Sequence, residues 1–147
     1  MMLGWKRKRA KGEDGFTLVE ILVVIAIIAL IMSLVGPRVL NYLAESKVKA
    51  ARIQIQSFSS ALDLFNLDTG RYPTTAEGLQ VLMRSPGNIA AWNGPYLKGE
   101  SVPLDPWGKA YDYRSPGEHG VYEIKSYGSD GQEGGSGTAA DITSWSH

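Results

Sequence analysis

Gly15-Phe16-Thr17-Leu18-Val19-Glu20-Ile21-Leu22-Val23-Val24-Ile25-Ala26-Ile27-Ile28-Ala29-Leu30-Ile31-Met32-Ser33-Leu34-Val35 is the stretch around which the chain is organised. Of the 20 residues from Phe16 to Val35, Glu20 alone is charged. As a helix the run is roughly 30 Å long, about the thickness of a bilayer's hydrocarbon core. Every face of it is apolar, and no other segment is large enough to surround it. A buried core helix therefore fails, and a membrane span remains.

Glu20 is the anomaly in that run. A carboxylate at membrane depth costs on the order of 2.5 kcal/mol or more unless it is protonated or paired. It lies four residues past Phe16 and can snorkel to the interface. The sharper reading gives it a positive partner at the same depth, such as the amine released by a cut between Gly15 and Phe16. A secretory signal peptide would carry its cleavage site after the apolar region, among small residues. Here the candidate site precedes it.

Working outward, Lys6, Arg7, Lys8, Arg9 and Lys11 lie just before the run. The positive-inside rule places that end in the cytoplasm and the rest of the chain outside it; a basic nucleic-acid tail is the alternative for the cluster. Over all 147 residues the charges balance at 15 against 15, which argues against a nucleic-acid surface as the main function. There is no cysteine, so neither a disulfide nor a thiolate metal site exists. The two histidines, His119 and His147, have no zinc-site spacing, and no serine sits in a nucleophile elbow. An enzyme would need acids such as Asp105 and Asp112 to meet in a pocket.

Beyond the run, Pro37 removes a backbone donor and crowds the Ser33 carbonyl, which predicts a kink or loosening rather than a plain helix end. Helical periodicity resumes at once. Ala44, Val48, Ala51, Ile55, Phe58, Leu62 and Phe65 recur at steps of four and three, an amphipathic stripe. It reads as a coiled-coil seam or, preferably, as the face on which a small domain packs. The helix is expected to end near Leu67, at Asp68-Thr69-Gly70. Thr74 and Glu77 have capping-box spacing and predict a short helix over Thr75–Arg84. Residues 86–108 read as packed loop, with a turn at Asp105-Pro106-Trp107-Gly108. Ala110–Arg114 and Val121–Ser126 read as two strands of a hairpin. Residues 128–137 hold five glycines and read as a flexible loop or as a metal site. Ordering so glycine-rich a segment costs much chain entropy, which a hard cation bound by Asp130 and Asp141 would offset. Trp145 beyond it reads as a docking residue.

Gly15-Phe16-Thr17-Leu18-Val19-Glu20 followed by an unbroken apolar helix resembles the type IV pilin and pseudopilin signature. The resemblance implies that a prepilin peptidase cuts between Gly15 and Phe16 and methylates the new amine, and that Glu20 meets that amine on a neighbouring subunit. It also implies a helix loosened in the filament between about Ala29 and Pro37. A narrower resemblance, to the major pseudopilin family of type II secretion (general secretion pathway protein G), rests on Gly70-Arg71-Tyr72-Pro73-Thr74-Thr75, Gly94-Pro95-Tyr96-Leu97, Val102-Pro103-Leu104-Asp105-Pro106-Trp107-Gly108, Tyr113-Arg114-Ser115-Pro116-Gly117 and Ser129-Asp130-Gly131-Gln132. With the amino-terminal motif it covers nearly the whole chain.

That resemblance implies an α+β, type IV pilin-like fold. A long amino-terminal helix, half transmembrane and half amphipathic, packs against a small antiparallel sheet domain. The implied parts are a leader, 1–15, a transmembrane and assembly helix, 16–36, its amphipathic half, 37–69, and a periplasmic domain, 70–147. The implied function is structural rather than enzymatic: a single-pass inner-membrane subunit that polymerises into a periplasmic pseudopilus driving folded proteins across the outer membrane. The implied partners are further copies of the chain, minor pseudopilins, the prepilin peptidase, the inner-membrane assembly platform and the membrane. Calcium is the implied cofactor, held by Asp130 and Asp141 with main-chain oxygens at Tyr127 and Thr138. Relatives often have a second acid where this chain has Ala140, and Glu133 is not counted on to replace it. An adhesion or motility pilin is the alternative of the same class, and a membrane-anchored periplasmic binding or enzymatic domain that of another.

Overall fold

A computed structural model describes residues 15–146. The basic cluster from Lys6 to Lys11, the rest of the expected leader before Gly15, and His147 lie outside the described residues. The chain divides into two compact units, one ending at Leu40 and the other starting at Asn41.

Helix α1 spans Leu18–Thr69 and is assigned without a break across Pro37. Locally the proline removes one backbone donor, and the rest of the helical ladder continues on both sides. In the first unit the helix is long and apolar enough to cross a membrane, and none of that apolar window is buried. Leu18 and Leu30 are 79% and 72% exposed, although water is a poor environment for such surface.

In the second unit α1 buries Ala51, Ile55, Phe58, Ala61, Leu62 and Phe65. This is the expected stripe from Ala51 onward, with Ala61 added, while Ala44 and Val48 at its start are only half-buried. Facing it are Leu79, Val81 and Leu82, then Tyr111, Tyr113, Ile124 and Ile142. Phe58 meets Tyr111 edge to face, ring centroids 5.1 Å apart, and Phe65 meets Tyr96 at 5.6 Å. The stripe is therefore the face on which the domain packs. Gly70, at φ 75°, ends the helix with its N–H on the Asn66 carbonyl at 2.8 Å, a left-handed cap that glycine adopts without penalty.

The predicted helix over Thr75–Arg84 is corrected. The capping box does form: Glu77 Oε2 accepts from the Thr74 N–H at 2.8 Å, and Thr74 Oγ1 accepts from the Glu77 N–H at 3.2 Å. It closes only one turn, because Gly78 at φ 64° leaves the helical region. A short 3-10 helix, Leu79–Leu82, follows and carries the three apolar residues into the core.

Residues 86–108 have no regular structure and are packed, as expected. Trp92 Nε1 donates to the Val81 carbonyl at 2.8 Å, and the Tyr96 hydroxyl donates to Asp68 Oδ2 at 2.9 Å. The turn at Asp105–Gly108 is present: the Gly108 N–H reaches the Asp105 carbonyl at 2.9 Å.

The sheet is antiparallel in the order β1 (Asp112–Arg114), β2 (Glu123–Ser126), β3 (Ile142–Thr143). Tyr113 pairs with Ile124, and Ser126 with Ile142. Both strands are shorter than expected: the first starts at Asp112 rather than Ala110, and the second starts at Glu123 because Val121 belongs to the connection, its carbonyl accepting from Ser115 Oγ at 3.0 Å. Strand β3 was not expected. Residues 128–137 take a defined path, with Gly137–Ala139 a turn of 3-10 helix. Trp145 docks by stacking on His119, with centroids 4.5 Å apart and planes 4° apart.

Candidate functional sites at the two ends of the chain

At the amino-terminal motif, Gly15 does not adopt a left-handed conformation, and an added Cβ would meet nothing within 4 Å among the described residues. Among the described residues nothing in the fold requires glycine there. Phe16 is 78% exposed.

Glu20 sits in the first turn of α1. Its Oε2 lies 3.4 Å from the Thr17 N–H, and Thr17 Oγ1 accepts from the Glu20 N–H at 3.2 Å. This is a reciprocal capping box, and its signal, threonine three residues before glutamate, is legible in Thr17-Leu18-Val19-Glu20. It adds a local cap to the roles expected of Glu20. In the single chain the carboxylate thus caps its own helix, where negative charge at an N-terminus is favourable.

In the carboxy-terminal loop, two close backbone approaches, Gly128 to Ala139 and Ala140 and Gly135 to Ala139, fold 128–141 back on itself. At Gly128, φ 65°, a Cβ would fall 2.8 Å from the Ala140 carbonyl oxygen and 3.0 Å from that of Ala139. Of the four candidate ligands, Asp130, Thr138 and Asp141 lie in this segment and Tyr127 immediately precedes it. The Tyr127 carbonyl accepts the Gly131 N–H at 3.1 Å, and the Thr138 carbonyl accepts the Ser129 N–H at 3.0 Å. Each keeps a second lone pair. Asp130 is exposed, and its Oδ1 accepts the Gln132 N–H at 3.0 Å. Asp141 is more enclosed. Its Oδ2 accepts the Gly134 N–H at 3.2 Å, while its Oδ1 is buried with no hydrogen-bond partner among the described residues.

That orphaned oxygen fits a cation, because a buried carboxylate oxygen left unpaired is costly. The donor set is oxygen only, which suits a hard ion such as Ca²⁺. Against this, no group of three or more acidic, histidine or cysteine side chains is gathered among the described residues. Main-chain oxygens would have to complete the shell. Glu133 is 79% exposed, with Oε1 3.1 Å from Lys125 Nζ.

The acids of the enzyme reading have separate structural tasks. Asp105 is buried; its Oδ1 accepts the N–H groups of Trp107 at 3.0 Å and Lys109 at 2.8 Å, and its Oδ2 accepts from Ser126 Oγ at 2.7 Å. Asp112 Oδ2 accepts from the Tyr127 hydroxyl at 3.0 Å. His119 Nδ1 lies 2.7 Å from Glu123 Oε1. These contacts hold loops in place; the serine–carboxylate pair among them, Ser126 on Asp105, is buried on both sides.

An apolar helix opened by a methylation-type motif, with a small antiparallel domain on its amphipathic part, defines a membrane-anchored filament subunit of the pilin class. Residues 10–36 match the prokaryotic N-terminal methylation motif, and residues 38–145 match the family model described as type II secretion system (T2SS), protein G. The chain belongs to the type II secretion system protein G family, a family of structural pseudopilins and not of enzymes. It is similar to the type II secretion system core protein G of Pseudomonas aeruginosa, 42% identical over 92% of this chain and 96% of that one. The protein of the same name from Vibrio cholerae is 40% identical over 94% and 95%. Among solved structures, the major pseudopilin of the type 2 secretion system of enterohaemorrhagic Escherichia coli matches with a TM-score of 0.55 and 29% identity, covering 69% of this chain and 88% of that one.

Proposed function

We propose that this pseudopilin waits in the inner membrane, with its amino terminus cytoplasmic and its carboxy-terminal domain periplasmic. It then polymerises with its own copies into the pseudopilus that drives folded proteins across the outer membrane. The observation that carries this reading is the exposed apolar helix with Glu20 as its only charge, preceded by Gly15. Prepilin peptidase cuts between Gly15 and Phe16 and methylates Phe16. Glycine suits the site because the peptidase must bring its carboxylates against the backbone. In the filament Glu20 faces the Phe16 amine of an adjacent subunit, so two groups costly to bury become a pair. Minor pseudopilins and the inner-membrane platform start and drive the assembly.

A second feature supports self-association. On the periplasmic part of α1, Tyr42, Ile53, Leu64 and Leu67 are exposed, at 71%, 65%, 52% and 79%. Helical geometry puts them on the side away from the buried stripe. Further copies of the chain would cover them. Mass spectrometry of the membrane-extracted protein, with electron microscopy of overexpressing cells, tests the reading. A mature chain starting at a methylated Phe16 and fibres in the micrographs are expected. A product starting at Met1, or cells without fibres, would overturn it.

The carboxy-terminal loop is assigned to calcium. Asp130 and Asp141 would supply carboxylate oxygens, and Tyr127 and Thr138 main-chain oxygens. A bound calcium would cross-link the two arms of a loop that has few apolar groups of its own. Saturating calcium at about 100 times Kd should stabilise the native state by about 2.7 kcal/mol through mass action. The melting temperature should rise accordingly from chelator to millimolar calcium, and Asp130→Ala or Asp141→Ala should remove the rise. A wild-type melting temperature indifferent to calcium would refute the site.

A further inference from the structure

The carboxy-terminal loop already holds a cation of its own, the side chain of Lys125. This lysine sits in the middle strand, opposite Asp112 on one side and Thr143 on the other. Its Nζ lies 3.1 Å from Glu133 Oε1 and 3.9 Å from Asp141 Oδ2. It also lies 5.4 Å from the centroid of the Tyr127 ring and 5.9 Å from that of Trp145. The side chains of Lys125 and Asp141 are only 17% and 16% exposed. Two aromatic rings and two carboxylates therefore enclose a fixed ammonium, a typical cation environment. We infer that Lys125 is the loop's built-in counter-ion and that it competes with a divalent cation for Asp141. The inference rests on the calcium reading only for the identity of the competitor.

Two consequences follow from charge. Without metal, the ammonium neutralises Asp141 and Glu133 and ties the loop to β2, so the glycine-rich segment stays closed. With metal, the same positive charge opposes a doubly charged ion bound to the same carboxylate. Lys125 thus lowers the loop's metal affinity while stabilising its metal-free form.

The test uses the full-length chain in dodecyl maltoside micelles, titrated with calcium chloride in a calorimeter and melted in chelator. Lys125→Met and Lys125→Gln are compared with wild type, each checked for folding by circular dichroism. Both should melt lower than wild type in chelator. A folded neutral variant should bind calcium about three- to tenfold tighter, the effect of removing one partly screened charge. Equal or weaker binding by a folded neutral variant, with wild type still binding, overturns the competition and leaves the calcium site standing. Binding by the variants but not by wild type upholds the competition and removes calcium from the native chain. Binding by none of the three overturns both.

Discussion

Glu77 is held from two directions. Arg71 grips its carboxylate with two nitrogens, each 2.7 Å from an oxygen, and the Thr74 N–H donates a third bond. The Arg71 hydrogen bond is the largest influence, burial opposes it, and the Thr74 N–H reinforces it, so the pKa falls from 4.5 to about 2. A depressed carboxylate contributes stability that is fully present above its ordinary pKa and lost as pH falls through its folded one. Glu77→Gln should therefore lower stability at pH 7, and the difference from wild type should shrink between pH 4.5 and about 2. Arg71 is 42% exposed, so solvent screening limits the effect to about 1 kcal/mol. Thermal melts at several pH values check this, and a constant difference across that window would refute the pairing. Tyr111 shows the opposite situation. Burial pushes its pKa up to about 12, and its hydroxyl has no hydrogen-bond partner among the described residues. Its ring earns the position through packing on Phe58.

At the scale of elements, α1 combines two kinds of helix. The half before Leu40 has no buried face, while the half after Asn41 buries one stripe and leaves a second apolar line exposed. Pro37 lies in the first half, where no packing within its own unit compensates the missing donor. Pro37→Ala restores that donor and removes the clash with Ser33, so it should stiffen this part of the helix by up to about 3 kcal/mol. Hydrogen exchange of the amides around residue 37 in micelles should slow, and the filament should assemble with altered rise. Unchanged exchange and normal filament geometry would count against a loosened helix. The short segment after α1 teaches a different lesson. Thr74 and Glu77 form the expected box, yet one glycine, Gly78, stops an α-helix from growing out of it. A capping box starts a turn; the residues that follow decide its length.

For the whole molecule, the balance is between the membrane and the filament. Among the described residues nothing buries the apolar window of α1, a surface suited to lipid or to other copies. Glu20 is the one charge between Phe16 and Val35, and in the single chain it caps its own helix through Thr17. Transfer of its carboxylate to a neighbour's Phe16 amine would exchange an internal hydrogen bond for an ion pair between subunits. Glu20→Ala should leave membrane insertion intact and reduce fibre formation at least tenfold by electron microscopy; a loss of about 1.4 kcal/mol per contact suffices. Fibres at the wild-type rate would show that the acid serves only as a helix cap. Thr17→Ala removes only the hydroxyl half of the box, the acceptor of the Glu20 N–H, and leaves both the Glu20 bond to the Thr17 N–H and the pairing group in place, so it should reduce fibres far less than Glu20→Ala.

Several features of this protein were legible in the residues alone because they depend on neighbours in sequence. The span Phe16–Val35, the stripe from Ala51 to Phe65, the helix end at Gly70, the turn at Asp105–Gly108 and the hairpin of β1 and β2 are all set by composition, periodicity and local sterics. The Thr17–Glu20 cap was equally local and equally readable. Other features depend on residues far apart in the chain. Ser126 donates to Asp105 from 21 positions away, and the Tyr113 hydroxyl reaches the Pro73 carbonyl across 40. Strand β3 is only two residues long and exists because β2 offers it an edge. No pattern in 128–141 announces that Lys125 will lie against Asp141, or that Trp145 will stack on His119. Those pairings were decided only by the tertiary structure, because a side chain's partner across the sheet is set by register and packing, and no single segment encodes either.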